Sequence, residues 1–265
     1  MAIEDPQYAE YAPGPQLAPF VYCVWTFSGG RDDAPQPIVP DARPELIIHL
    51  RAPYREKGAD ADQPLALFAG QLTRPLILQS RGDVAMVGIR FRPDGSRAFL
   101  GAPVDSATDR RVDLADVKGA RAAVLVSAVR RAGDLREAAN EVERFVADCL
   151  RGAAIDAAVR SAVARDMAQV EAGPPEHVPD RSFQRRFKAE VGVSLRMFRS
   201  IRRFRRVFDA LQDPANSGWA EAALRAGYFD QPQMARDFRR FLGCTARQWA
   251  TQQIGLARAL GQSKG

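Results

Sequence analysis

The chain has 265 residues, of which 46% are hydrophobic and 26% are charged, and its formal net charge is +6. This length suggests one large or two ordinary domains, and this composition excludes an intrinsically disordered chain. No apolar run is long enough to span a bilayer, and residues 1–16 lack the basic-then-apolar pattern of a signal peptide.

The charge is unevenly distributed along the chain. Residues 1–150 contain 18 basic and 21 acidic side chains, a net charge of −3, whereas residues 151–265 contain 20 and 11, a net charge of +9. A basic half favours a polyanionic partner over a merely solvated surface. The three cysteines, at positions 23, 149 and 244, have neither metal-site spacing nor a disulfide framework, which predicts a cytoplasmic protein.

β-Branched and aromatic runs in the first hundred residues predict short strands. The five runs lie at residues 20–27, 45–50, 64–70, 75–80 and 84–92. Gly, Pro and Asp separate these runs, residues 1–19 begin as irregular chain, and residues 96–101 predict one helical turn. The pattern predicts an antiparallel sheet or a small, cupin-like barrel over residues 1–110, and an α+β protein overall.

From about residue 113 the hydrophobic period becomes helical. One helix is predicted over residues 113–133, and a second runs to Gly152 after the N-cap residue Asp134. These helices form a predicted linker hairpin, residues 111–152, which is also a candidate surface for a homodimer. A third helix is predicted over residues 155–173, and a Pro-rich stretch follows it.

Two similar helical units come next, joined by one long helix. Residues 181–195 and 231–246 each place an apolar residue, an arginine, a phenylalanine and a glycine in the same order, with Ser or Thr two residues later. The apolar positions of the joining helix form one stripe: Leu195, Phe198, Ile201, Phe204, Phe208 and Leu211. These segments predict an all-α domain over residues 153–252, with a tail at 253–265.

The second unit has the spacing of a helix-turn-helix. Ala223 allows two helices to approach closely, Gly227 suits a turn with positive φ, and Asp230 suits the N-cap of the next helix. On that helix Met234, Phe238 and Phe241 predict the buried stripe, and the polar side chains are Gln231, Gln233, Arg236 and Arg240. Gln and Arg pair with adenine and guanine edges in the major groove.

The first unit repeats this arrangement. Its polar side chains Arg181, Gln184, Arg185 and Lys188 lie opposite an apolar stripe, and residues 181–206 hold ten basic side chains and one acidic. Two such helices on a rigid spacer reach major-groove segments ~34 Å apart. The spacer arginines are Arg199, Arg202, Arg203 and Arg206. They are expected near phosphates or, for most of them, in solvent.

These motifs resemble a known family. The sequence "AALRAGYFDQPQMARDFRRFLGCTARQW" resembles the second helix-turn-helix of AraC/XylS-type transcription regulators, and "DRSFQRRFKAEVGVSLRMFRSIRRFRRV" resembles their first recognition helix and linker helix. The resemblance covers roughly residues 155–250. In the amino half, "VPDARPELIIHL", "FAGQLTRP" and "VGIRFRPDGSRAFLGAPV" resemble the β-rich domain of one AraC-type subgroup, which implies a sensor or dimerisation domain.

The resemblance implies which residues read bases. They are Arg181, Gln184 and Arg185 in the first unit, and Gln231, Pro232, Gln233 and Arg236 in the second. The first unit departs from the family pattern, because Gly173, Pro174 and Pro175 stand where a scaffold helix is expected, His177 replaces the turn glycine and Pro179 replaces the Ser cap. Base specificity is therefore expected to rest mainly on the second unit.

The sequence indicates no enzyme. No catalytic constellation, metal site or cofactor motif occurs, and His49, in a predicted strand, is expected at the surface or satisfied rather than as a ligand. The favoured function is sequence-specific binding of double-stranded promoter DNA, without contact to a membrane. RNA polymerase, a small-molecule effector and a second copy are further candidate partners. The alternative is an interaction or sensor protein whose degenerate helix-turn-helix does not bind DNA specifically.

Overall fold

The computed structural model describes residues 7–30, 34–168, 180–212 and 218–249. Within them the strands precede the long helices. The strands are β1 (Gln7–Tyr11), β2 (Val21–Gly29), β3 (Gln36–Ile38), β4 (Glu45–His49), β5 (Arg55–Glu56), β6 (Ala66–Ala69), β7 (Leu76–Gln79), β8 (Val84–Phe91) and β9 (Arg111–Asp113). The helices are α1 (Arg97–Leu100), α2 (Leu114–Lys118), α3 (Ala120–Arg131), α4 (Leu135–Cys149), α5 (Ala157–Ala168), α6 (Arg181–Val191), α7 (Leu195–Gln212), α8 (Trp219–Arg225) and α9 (Gln231–Leu242).

The strands form two antiparallel sheets. The larger sheet has the order β1-β2-β8-β4-β6-β9, and the smaller has the order β3-β7-β5. The outer strands β1 and β9 each pair with one neighbour within the described residues, so the larger sheet is open and does not close into the barrel that the sequence suggested. The prediction of a β-rich amino-terminal region followed by helices is confirmed.

All five predicted strands are present, and four further strands were missed. β1 lies within the stretch expected to begin as irregular chain, and it pairs with β2 along its whole length, from Gln7 opposite Ser28 to Tyr11 opposite Val24. β3, β5 and β9 have two or three residues each. Such short, mostly half-exposed segments have no apolar pattern of their own, and only pairing with a neighbour makes them strands.

The helix predicted over residues 113–133 is broken at Gly119. This residue has φ +54 and ψ −138, outside the helical region, so it ends α2 and begins α3. The predicted N-cap of the second helix is confirmed, because the Asp134 side chain accepts a hydrogen bond from the Glu137 backbone N–H at 2.8 Å and caps α4. α4 then ends at Cys149, a turn before Gly152.

The described residues form two apolar cores. In the first, the sheet packs against the hairpin, with Val142 and Val146 of α4 fully buried beside Phe68, Phe91 and Phe99. The hairpin therefore shares its core with the sheet, and its use as a dimer surface stays a prediction. The second core lies among α5 to α9. None of the helices described is long and apolar enough to cross a membrane.

His49 lies inside the amino-terminal domain. The sequence predicted a residue that lies at the surface or has its hydrogen bonds satisfied. In the structure His49 is fully buried, and its ring centroid lies 6.3 Å from that of Tyr54. Burial lowers the pKa of His49 to about 4, and a contact with Gln63 offsets this only in part. The imidazole is therefore neutral in the folded protein at neutral pH.

We expect His49 to make stability fall in acid. In the unfolded chain this residue binds a proton below pH 6.5, whereas in the folded chain it binds one only below about pH 4. The free energy of unfolding should therefore drop by roughly 2–3 kcal/mol between pH 7 and pH 4.5 from this group. Urea unfolding of wild type and His49→Gln across this range checks it. Parallel pH profiles would contradict the assignment, because all other groups titrate in both proteins.

Candidate nucleic-acid interface

The second unit forms a tight helix-turn-helix. Ala223 is 5% exposed against its neighbours, and its carbonyl accepts a hydrogen bond from the Tyr228 N–H at 3.0 Å. Gly227 has φ +85, which a residue with a side chain rarely adopts, so the predicted turn glycine is confirmed. Asp230 caps α9 by accepting from the Gln233 N–H at 2.6 Å.

α9 has one buried face and one exposed face. Met234, Phe238 and Phe241 are buried, as the spacing predicted, and the exposed residues are Gln231, Pro232, Arg236, Arg239 and Arg240. Gln233 is half-buried, and its Oε1 accepts a hydrogen bond from the Phe229 N–H at 3.0 Å. One end of this predicted base-reading side chain therefore stabilises the turn, in the manner of a capping box.

α6 presents the polar side chains of the first unit. Arg181, Gln184, Arg185 and Lys188 are exposed, on the side away from the buried Phe187 and Val191. Pro179 stands where the family pattern has a Ser cap, but the cap of α6 is Asp180, whose Oδ1 accepts a hydrogen bond from the Phe183 N–H at 2.7 Å. Residues 173–179, with the expected scaffold helix, lie outside the described residues.

Three of the four spacer arginines form ion pairs or hydrogen bonds within the domain: Arg199, Arg203 and Arg206. Arg199 contacts Asp166 of α5 at 3.0 Å, and Arg206 donates to the Asp166 backbone carbonyl at 2.6 Å. Asp166 is only 4% exposed, so these contacts fasten α5 to α7. Burial lowers the pKa of Arg206, and burial followed by the charge of Arg43 lowers that of Arg202. The sequence predicted that these arginines lie in solvent or near phosphates. In the structure Arg199 and Arg206 instead contact Asp166 within the domain.

Arg203 joins α7 to α9. Its guanidinium lies 3.2 Å from Asp237 of α9 and 4.8 Å from the ring centroid of Tyr228. The Tyr228 hydroxyl donates to the same carboxylate at 3.0 Å, and burial raises the pKa of Tyr228. Sequence reasoning missed this cluster, although Asp237, as the acidic residue within a basic helix, was a usable signal.

The amino-terminal domain holds the carboxyl end of α6. Lys188 lies 3.1 Å from Asp105, and Arg97 lies 2.6 Å from Glu190. The Thr108 hydroxyl donates to the Gly192 carbonyl at 2.5 Å. A side chain at Gly192 would meet Gln71 and Val104 at 3.0 Å, so the two domains touch closely at this point.

The second unit and the carboxy-terminal core also touch the amino-terminal domain. A Cβ at Gly243, the residue that ends α9, would lie 3.6 Å from Pro75. Ala42, from the loop before β4, is buried within the carboxy-terminal core and has φ +68. The carboxyl ends of α6 and α9 thus face the amino-terminal domain, while Arg181 and Gln231 at their amino ends are exposed.

A family model described as a helix-turn-helix domain, of the AraC type, matches residues 176–252. The carboxy-terminal part of the chain is an AraC-type helix-turn-helix domain. Proteins with this domain form a family of DNA-binding transcription regulators. The match covers α6 to α9, so the AraC-type domain includes both helical units and the spacer between them.

The amino-terminal part of the chain matches a family model without an assigned function. A domain of unknown function (DUF6597) matches residues 9–113, which include both sheets except for the first two residues of β1. No curated protein matches the chain. A crystal structure of apo ToxT from Vibrio cholerae, in a lysine-to-alanine variant, overlaps 92% of this chain and 95% of its own, with 9% identity and a TM-score of 0.39.

We expect Arg203 to stabilise the AraC-type domain. Arg203→Met should lower the free energy of unfolding by about 1–3 kcal/mol, because it leaves the carboxylate of Asp237 partly buried without its cation. Arg196→Met, on the exposed side of the same helix, is the matched control and should change stability little. Urea unfolding measures both, and an equal loss in the two variants would contradict the role of the cluster.

Proposed function

We propose that the chain is a sequence-specific DNA-binding regulator whose α9 reads bases in the major groove, with α6 as a second reading helix. The observation that carries the proposal is the amino end of α9. There Gln231 and Arg236 are exposed, and Arg236 forms no ion pair with another described residue. A helix-turn-helix presents this part of its second helix to base edges.

Rigid support strengthens this proposal. α9 is capped by Asp230 and held against α7 by the cluster of Arg203, Tyr228 and Asp237. The backbone that carries the exposed arginines of α9 is therefore fixed in position. Arg236 and Arg240 lie on the face away from the core, and Arg donates two hydrogen bonds to guanine. The four predicted side chains of α6 belong to the same proposal, with Lys188 already paired to Asp105.

We further propose that the amino-terminal domain restrains the first unit, in response to an effector or to pairing of two copies. The contacts of α6 with Asp105, Arg97 and Thr108 support this, since they engage the same helix that carries Arg185. A shift of the amino-terminal domain would alter the position of α6 and release Lys188. RNA polymerase remains a candidate partner of a regulator of this kind.

Binding to the DNA upstream of its own coding sequence tests the function directly. Fluorescence anisotropy over a salt series should show tighter binding to this duplex than to a scrambled one, with affinity that falls steeply as salt rises. Equal, weak binding to both duplexes with the same salt slope would favour the alternative, an interaction protein with a degenerate helix-turn-helix.

We expect Arg236→Ala to weaken binding to the specific duplex about 5- to 150-fold and to relax base discrimination, since a bidentate contact to guanine contributes about 1–3 kcal/mol. The exposed position implies that thermal stability stays unchanged. Arg130→Ala, at an exposed position of α3, removes the same charge outside α6 and α9 and should leave the affinity nearly unaltered. Equal effects of the two variants would refute α9 as the reading helix.

We expect Asp105→Asn to strengthen DNA binding. The change frees Lys188 for a phosphate, so affinity should rise a few-fold and the salt slope should steepen by about one unit. Asp148→Asn, which breaks the exposed pair with Arg151 at the end of α4, makes the same change in net charge away from α6. The same gain in both variants would mean that net charge, rather than the domain contact, sets the affinity.

A further inference from the structure

Phe229 is the most exposed large apolar side chain within the described part of the molecule. It lies in the turn between α8 and α9, and 95% of its surface is open to solvent. The preceding aromatic, Tyr228, is 4% exposed and fills the core position beside Arg203. The turn therefore directs one aromatic ring inward and the next one outward.

The ring of Phe229 does not pack in the core of the folded domain. An apolar residue just before an N-cap usually packs against the fourth residue of the helix, which here is Met234. Met234 is 8% exposed and belongs to the core, whereas Phe229 keeps nearly all of its surface, so this contact is not made. A solvent-facing phenylalanine gains hydrophobic stabilisation only when a partner covers it.

The backbone around Phe229 is nevertheless firmly held. Its N–H donates to Gln233 Oε1 at 3.0 Å, and the next residue, Asp230, caps α9. The ring thus projects from a fixed point at the amino end of the helix, next to the exposed Gln231. A rigid placement of this kind suits a side chain that contacts a defined chemical group.

Resting on the proposed function, we propose that Phe229 is a specificity-determining residue that packs on the C5-methyl group of a thymine in the major groove. This methyl group is the apolar feature of that groove, and phenylalanine is among the side chains that contact it. Arg236, one to two turns along α9, would read a base within the same segment.

The surrounding charges favour DNA over a protein surface as the partner. Arg236, Arg239 and Arg240 make the outer face of α9 cationic. The two carboxylates on and beside the helix, Asp230 and Asp237, are both engaged, one as the cap and the other with Arg203 and Tyr228. An aromatic ring at the edge of a cationic face matches a methyl group flanked by phosphates.

The test is a double-mutant cycle between protein and DNA. The specific duplex is made with thymine and with deoxyuridine, which lacks only the methyl group, and binding of wild type and Phe229→Ala to both is measured by anisotropy. Wild type should bind the uracil duplex about 4-fold more weakly for each methyl group that Phe229 covers. Phe229→Ala should show the same loss on the thymine duplex and no further loss from uracil at those positions. Leu224→Ala, at the 74% exposed apolar side chain of α8, is the control and should keep the wild-type response.

The outcomes separate this inference from the proposed function. Equal wild-type affinity for the specific and scrambled duplexes would overturn the function itself. Specific binding with an identical uracil penalty in wild type and Phe229→Ala would leave the function standing and overturn the methyl contact. Wild-type affinity of Phe229→Ala on every duplex would also overturn it and would point to a protein as the partner of the ring. Unchanged thermal unfolding of Phe229→Ala verifies that the fold is intact.

Discussion

The apolar stripe of α7 is the constraint on which the carboxy-terminal half depends. Phe204, at its centre, has ring centroids 5.0–5.3 Å from those of Phe208, Phe238 and Phe241, and Phe198 meets Phe187 of the first unit at 5.7 Å. One helix thus anchors both α6 and α9 through aromatic contacts, which favour tilted and edge-to-face geometry. The orientation of the exposed face of each of these two helices follows from this packing.

Charge serves two separate purposes in this domain. Arginines that pair with Asp166 and Asp237 are half-buried and hold helices together, whereas Arg185 and Arg236 are exposed on the outer faces of α6 and α9. The net charge of the basic half therefore overstates the number of cations on the outer surface that are free of such ion pairs. Only burial and partners distinguish the two groups, since both consist of arginines in helical sequence.

The contact between the domains gives the first unit a different setting from the second. α6 has two ion pairs and a hydrogen bond from its carboxyl end to the amino-terminal domain, whereas α9 approaches that domain through Gly243 beside Pro75. An amino-terminal domain that regulates binding would thus act mainly on α6. The expectation that the second unit carries most of the base specificity stays a prediction.

The sequence by itself determined the two-part architecture, the strong strands, the caps at Asp134 and Asp230 and the buried stripe of α9, because these features depend on local periodicity and on capping chemistry. Tertiary structure alone decided the rest. Short strands such as β1 exist through pairing, the sheet stays open, and His49 is buried by long-range packing. Distant contacts likewise placed Asp237 beside Arg203, tied Lys188 to Asp105 and left Phe229 in solvent, because no local pattern specifies which side chains meet across a fold.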